Sequence, residues 1–146
     1  MTSTFSGKDL AVQIEEKFPG GIAESGSNHL TVTNEVLLDT LRFLKETAGL
    51  DFDYLNHLTA VDYYQYFEVV YQLSSLEHNH ATVVKARCYD RENPSLPSAT
   101  GIWQAADFQE REIYDLMGIS FTGHPNMKRI FLWEDFQGHP LRKDYL

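Results

Sequence analysis

The sequence predicts an α/β domain: a small, mostly antiparallel sheet, two helices in the N-terminal half, a short third helix and an extended C-terminal docking segment. Three observations carry that prediction. Residues 67–75 and 80–89 alternate apolar and polar side chains with period two, the mark of half-buried strands. Two earlier stretches repeat apolar residues at three- to four-residue spacing, as amphipathic helices do. After Phe121 the chain is aromatic and apolar but keeps no period at all. Its 146 residues make one domain, with 1–102 read as the α/β core and 103–146 as a helix plus docking tail of the same domain.

Each element has a local reason. In "SGKDLAVQIEEKF", Ser6 and Asp9 resemble a capping box, Leu10, Ile14 and Phe18 recur every four residues, and Pro19-Gly20-Gly21 ends the helix. "IAESGSNHLTV" reads as two short strands around a Gly26-Ser27-Asn28 turn. Thr33 or Asn34 then caps a second helix, with Leu37, Leu41, Leu44 and Ala48 inward and Gly49 as its stop. "FDYLNHLTAVDYY", "FEVVYQLSS" and "HATVVKARCY" follow as strands, the last two joined as an antiparallel hairpin by "SLEHNH". "DRENPSLPSATG" reads as a loop. "ADFQEREIYDLMGI" is a short helix with Asp107 as N-cap, Glu110 as its capping partner, Ile113, Leu116 and Met117 inward, and Gly118 beyond its end.

Composition removes several classes. The net charge is −9, and it is uneven: residues 1–84 hold 4 basic against 12 acidic residues, residues 85–146 hold 8 against 9. An acidic half without a basic run repels nucleic acid and anionic lipid. The single cysteine, Cys88, cannot ligate an iron–sulfur cluster or close an intrachain disulfide, and it lies in a strand pattern as a small buried hydrophobe. The N-terminus has no basic n-region and apolar h-region, so no secretory signal is expected, and no apolar run is long enough for a membrane span.

The candidate sites cluster late in the chain. Gly-His-Pro occurs twice, at Gly123-His124-Pro125 and Gly138-His139-Pro140, with Lys128, Arg129, Arg142 and Lys143 nearby. A metal site built on His124 and His139, with His57, His78 or His80, lacks any His-x-x-x-His pair, and proline pushes both histidines towards extended backbone. A stand-alone metal-dependent hydrolase using those two histidines is the reading this would support. "HNH" at 78–80 lacks the basic surface of a nuclease. No nucleophile triad and no phosphate-cradling glycine loop is present. In Glu110-Arg111-Glu112, Arg111 is placed to pair with Asp115 at i,i+4. Glu112 beside the apolar stripe either pairs with Arg129, Arg142 or Lys143, or with another protein, or lies on an ordinary solvated face. An aperiodic aromatic tail needs a surface to cover it, its own sheet or a partner, and is expected to be mobile in the isolated chain.

"EREIYDLMGISFTGHPNMKRI" followed by "DFQGHPLRKDY" resembles the C-type subunit family of respiratory complex I, NADH:quinone oxidoreductase. The same family is called the J type in cyanobacterial and chloroplast enzymes, with related subunits in membrane-bound energy-converting hydrogenases. The matching positions are Glu110, Arg111, Glu112, Tyr114, Asp115, Gly118, His124, Pro125, Arg129 and Ile130, then Gly138, His139, Pro140, Leu141, Arg142, Lys143, Asp144 and Tyr145. Phe131 stands where the family usually has an aliphatic residue, and many relatives continue past the closing motif. The resemblance implies a hydrophilic peripheral-arm subunit at the cytoplasmic face of the membrane, near the quinone site. It implies no catalytic, cofactor-binding or metal residue in this chain, with flavin, iron–sulfur clusters and quinone on partner subunits. It implies a D-type, hydrogenase-large-subunit-like partner and other peripheral-arm subunits, for which this chain is a scaffold.

Overall fold

A computed structural model describes residues 3–133 and 137–143. The first helix, α1 (Gly7–Lys17), starts where the capping pattern put it: the Ser6 hydroxyl accepts the Asp9 N–H at 3.3 Å, and Leu10 and Ile14 are fully buried. The predicted hairpin forms from β2 (Ile22–Ser25) and β3 (His29–Val32). A 3-10 turn at Asn34–Val36, with Thr33 before it but no side-chain cap bond, leads into α2 (Leu37–Glu46). Leu37, Leu41 and Leu44 face the core, each such burial contributing about 1.5–3 kcal/mol. Ala48 does not join them. Thr47 already takes an extended conformation, so the helical stripe stops a turn early and Ala48 is exposed.

Three nine-residue strands, β4 (Tyr54–Asp62), β5 (Phe67–Ser75) and β6 (His80–Cys88), form an antiparallel meander. Beyond β6, β3 adds in parallel, giving the order β2-β3-β6-β5-β4, while the two-residue β1 (Ser3–Thr4) pairs in parallel with the start of β6. The period-two pattern fixes the faces. Phe67, Val69, Tyr71 and Leu73 oppose Cys88, Ala86, Val84 and Thr82, and all are buried. Cys88 is a free thiol in this core, pushed up to about 11 by burial. The opposite face is polar: Glu68, itself nearly buried, sits 3.5 Å from Lys85 and 3.1 Å from Arg87, which also reaches Glu24.

The segment expected to be a loop, "DRENPSLPSATG", contains a strand. Here β7 (Ser95–Pro97) pairs in parallel with β8 (Ser120–Thr122), and α3 (Ala106–Met117) is the crossover between them. Two prolines hid it, yet Pro97 ends the strand and Leu96 lies buried opposite buried Phe121. The edge of β4 is covered by α3, where the Leu58 N–H donates to Gln109 Oε1 at 2.6 Å. Among the described residues no helix is long and apolar enough to cross a membrane.

Candidate functional site: a strap clamped on the third helix

The Glu-Arg-Glu segment lies on α3, but its charges are used differently from the capping pattern. Ala105 precedes the helix with no side-chain cap, and Asp107 lies inside the first turn. Glu110 falls on the same stripe as Ala106, Ile113 and Met117, so it turns inward and has no exposed surface. Its oxygens accept the Ser98 hydroxyl at 2.6 Å and the Ala99 N–H at 2.7 Å, which ties the end of β7 to α3. Burial pushes this carboxyl above its ordinary value, against the pull of those two donors.

Arg111 does not pair with Asp115. Its guanidinium donates to the main-chain carbonyls of Lys128 and Arg129, at 3.0 and 3.3 Å. Asp115, fully buried, is taken up by the tail instead. One carboxylate oxygen accepts the N–H groups of Ile130, Phe131 and Leu132 at 3.1, 2.8 and 3.1 Å, and the other pairs with Arg129 at 3.1 Å. Burial opposes the charge, but the three amides and the guanidinium outweigh it and hold the carboxyl below the usual carboxylate range.

The tail also finishes the helix. The last four carbonyls of an α-helix have no partner within it. Here Tyr114 O is satisfied by Gly118 N–H at 2.9 Å, Asp115 O by His139 Nδ1 at 3.0 Å, Leu116 O by Leu141 N–H at 2.9 Å and Met117 O by Arg142 Nε at 2.6 Å. A histidine and an arginine at this end also suit the negative end of the helix dipole. Gly118 has φ 78°, and a Cβ there would lie 2.7 Å from His139 and 2.8 Å from Arg142, so the close approach of this tail, a strap described at 126–133 and 137–143, needs glycine.

A second anchor lies on the sheet and was not legible as a site residue. Asp62, at the end of β4, is buried and bonded bidentately by Arg91 at 2.7 and 3.0 Å, and it also accepts the N–H groups of Tyr64 and Lys143. Arg91 holds this carboxyl well below the usual range, against its burial. Arg142 donates to Arg91 O at 3.2 Å, and both guanidinium groups lie over the Phe67 ring. The available signal was an acid in phase with Leu58 and Ala60 on the inward face of a strand.

The other motif residues divide in two. His124 turns both ring nitrogens to backbone: Nδ1 accepts the Asn126 N–H at 2.9 Å, and Nε2 lies 3.1 Å from Asp107 O. Arg129 also donates to Gly138 O. Tyr114 is half-buried with its ring 6.3 Å from that of His139, and Ile130 and Pro140 are half-buried. Glu112 is exposed and forms no ion pair among the described residues; of the three cations proposed for it, Arg129 pairs with Asp115, Arg142 donates to Met117 O and Lys143 lies over the Tyr64 ring. Pro125, Leu141 and Lys143 are exposed, as are Phe108, Phe131 and Trp133. Asp144 and Tyr145 lie outside the described residues, as does Phe136. The three-ligand grouping of His, Cys, Asp and Glu among the described residues is Asp51, Glu77 and His78, in which His78 is bonded to Asp51 at 2.7 Å; neither Gly-His-Pro histidine belongs to it.

Residues 30–146 match the family described as respiratory-chain NADH dehydrogenase, 30 Kd subunit. The chain belongs to that family. It is 40% identical over 135 residues to the NADH-quinone oxidoreductase C 2 subunit of Rhizobium meliloti, across 88% of this chain and 73% of that protein. It is 47% identical over 103 residues, 70% of this chain and 20% of the relative, to the NADH-quinone oxidoreductase C/D subunit of Phocaeicola vulgatus. A chain of the membrane-bound sulfane sulfur reductase, an archaeal respiratory membrane complex, superposes with a TM-score of 0.78 at 28% identity, covering 95% of this chain and 85% of its own. The 30 kDa family match takes in β3 to the strap, so α3 and its clamp lie wholly within it.

Proposed function

We propose that the chain is a peripheral-arm subunit of a membrane-associated NADH:quinone oxidoreductase, ion-translocating like complex I, and that it holds the quinone-reducing, D-type partner in position. It carries no redox centre of its own in this reading; flavin, iron–sulfur clusters and quinone reside on partner subunits, and the complex sits at the cytoplasmic face. One observation carries the proposal. The strap spends its polar anchors inside the chain while apolar side chains stay outward: Phe108 on α3 and Phe131 and Leu141 on the strap are 63%, 63% and 59% exposed, and Glu112 on α3 is exposed as well. A rigid backbone with outward aromatics is what a partner surface reads. The relative that joins C and D in one polypeptide supports a D-type occupant.

The test is copurification. An affinity-tagged chain expressed in its native cell should bring down a D-type partner, and Phe108→Ser with Phe131→Ser should lower the recovered partner without lowering the tagged chain. Recovery of the chain alone from intact complexes, or a purified chain carrying stoichiometric flavin or iron, refutes the proposal. A second reading, a subunit of an energy-converting hydrogenase or another ferredoxin- or formate-linked complex, is favoured by the likeness to the archaeal membrane complex. The copurified partners separate the two: an NADH-oxidising module supports the first, a nickel-site protein the second.

A further inference from the structure

The corner at residues 123–125 joins β8 to the strap, and its histidine is wired in one protonation state. The His124 side chain has no exposed surface. Its Nδ1 lies 2.9 Å from the Asn126 nitrogen, which has only a hydrogen to offer, so Nδ1 must accept. The ring hydrogen therefore sits on Nε2, which faces Asp107 O at 3.1 Å and Asp107 Oδ1 at 3.0 Å. The hydrogen bond of Nε2 is to the carbonyl; Oδ1 is buried, has no hydrogen-bond partner among the described residues and meets the ring only as a close charge contact. The first turn of the strap builds on this bond. Lys128 N–H donates to Asn126 O at 3.0 Å, and Arg111 donates to the carbonyls of Lys128 and Arg129.

We propose that His124 is a proton-operated hinge of the strap: a second proton, taken from water onto Nδ1, sets a hydrogen against the Asn126 N–H, releases that amide and loosens the corner. The titratable groups facing the ring are acidic and both on α3. Asp107 lies against Nε2, and a charge on the ring would work against the burial that raises the Glu110 carboxyl. Both attract an imidazolium. Arg111, on the same helix, is directed away to strap carbonyls. The neutral ring thus fastens the corner, and the charged ring keeps its hold on Asp107 while giving up Asn126. The clamp further on is untouched, because Asp115 stays ionised through the range in which a histidine titrates. The hinge is a property of this chain alone and stands apart from the assembly reading.

The test is amide exchange by nuclear magnetic resonance on the full chain, with protection factors corrected for intrinsic pH dependence and the His124 ring protons followed alongside. Protection of Asn126 should fall roughly tenfold as the ring takes up its proton, the scale of one released hydrogen bond. Ile130, Phe131 and Leu132 should keep theirs. In His124→Asn the side-chain oxygen can accept the same N–H two residues on and does not titrate, so Asn126 protection should be flat across the same range. Wild-type protection that ignores the ring titration, or a fall that persists in His124→Asn, overturns the hinge.

Discussion

Replacing Asp115 by alanine tests whether the strap is fastened by this chain itself. Alanine suits a helix, so the backbone of α3 loses nothing locally. What is lost is one acceptor shared by the Ile130, Phe131 and Leu132 amides and one ion pair to Arg129. Hydrogen bonds to a charged group contribute roughly 1.5–3 kcal/mol each. The sum is smaller here. Phe131 is exposed and its neighbours half-buried, so water reaches the freed amides, and Arg129 keeps the Gly138 carbonyl at 2.9 Å. About 3 kcal/mol is a fair figure, or on the order of a hundredfold in an opening equilibrium. Native-state hydrogen exchange reads it directly. Amides 130–132 should lose about a hundredfold in protection in Asp115→Ala, while Val69 and Tyr71 in β5 stay within a factor of about two. Unchanged strap protection would refute the clamp. An equal fall in β5 would refute the separation of strap from core.

Gly118→Ala should cost about 2–3 kcal/mol, because left-handed backbone and the displacement of His139 and Arg142 add together; chemical denaturation or strap exchange measures it. Acid should loosen the strap ahead of the core. Asp62 and Asp115 bind protons less readily folded than unfolded, so their contribution is complete above the ordinary value of 3.8 and drains away as pH falls below it, which an acid titration followed by exchange at residues 130–132 would show. Glu110 has the opposite sign: its carboxyl is raised, so the stability linked to it is present at low pH and lost as pH rises through its folded value. Glu110→Gln should remove that loss, giving a flatter thermal-stability profile between acid and neutral pH, with the amide oxygen still accepting the Ala99 N–H and the Ser98 hydroxyl turned to accept from the amide nitrogen. Glu112→Lys should leave thermal stability within about 0.5 kcal/mol, since the side chain is exposed, yet reduce partner recovery; Arg142→Glu should damage both.

The sheet was legible because alternation is a strong signal when one face is buried, and β5 falls on the residues the pattern marked. Ser6 was legible because its partner is three residues away. The tail was legible as a motif and not as a geometry. Spacing on one helix offered Arg111 the nearby Asp115, but that carboxylate is won by amides from residues 130–132, and no local rule weighs donors so distant in sequence. Glu110 shows the same failure: a capping pattern and an inward stripe share one position, and the stripe prevails because α3 must cover β4. β7 was missed for a related reason. A three-residue strand holding a proline declares itself only through Phe121 and its neighbours, which arrive after a whole helix.

The bond from the Lys143 amide to Asp62 joins residues 81 positions apart. On a growing chain, the sheet and its hairpins can close as they emerge, since their pairings are mostly between neighbours in sequence. The strap cannot. Until residue 143 has been synthesised, the far end of α3 keeps bare carbonyls and Asp62 lacks one of its donors. The closed surface over α3 and Asp62 therefore depends on residues 139–143, which are made after everything they bind.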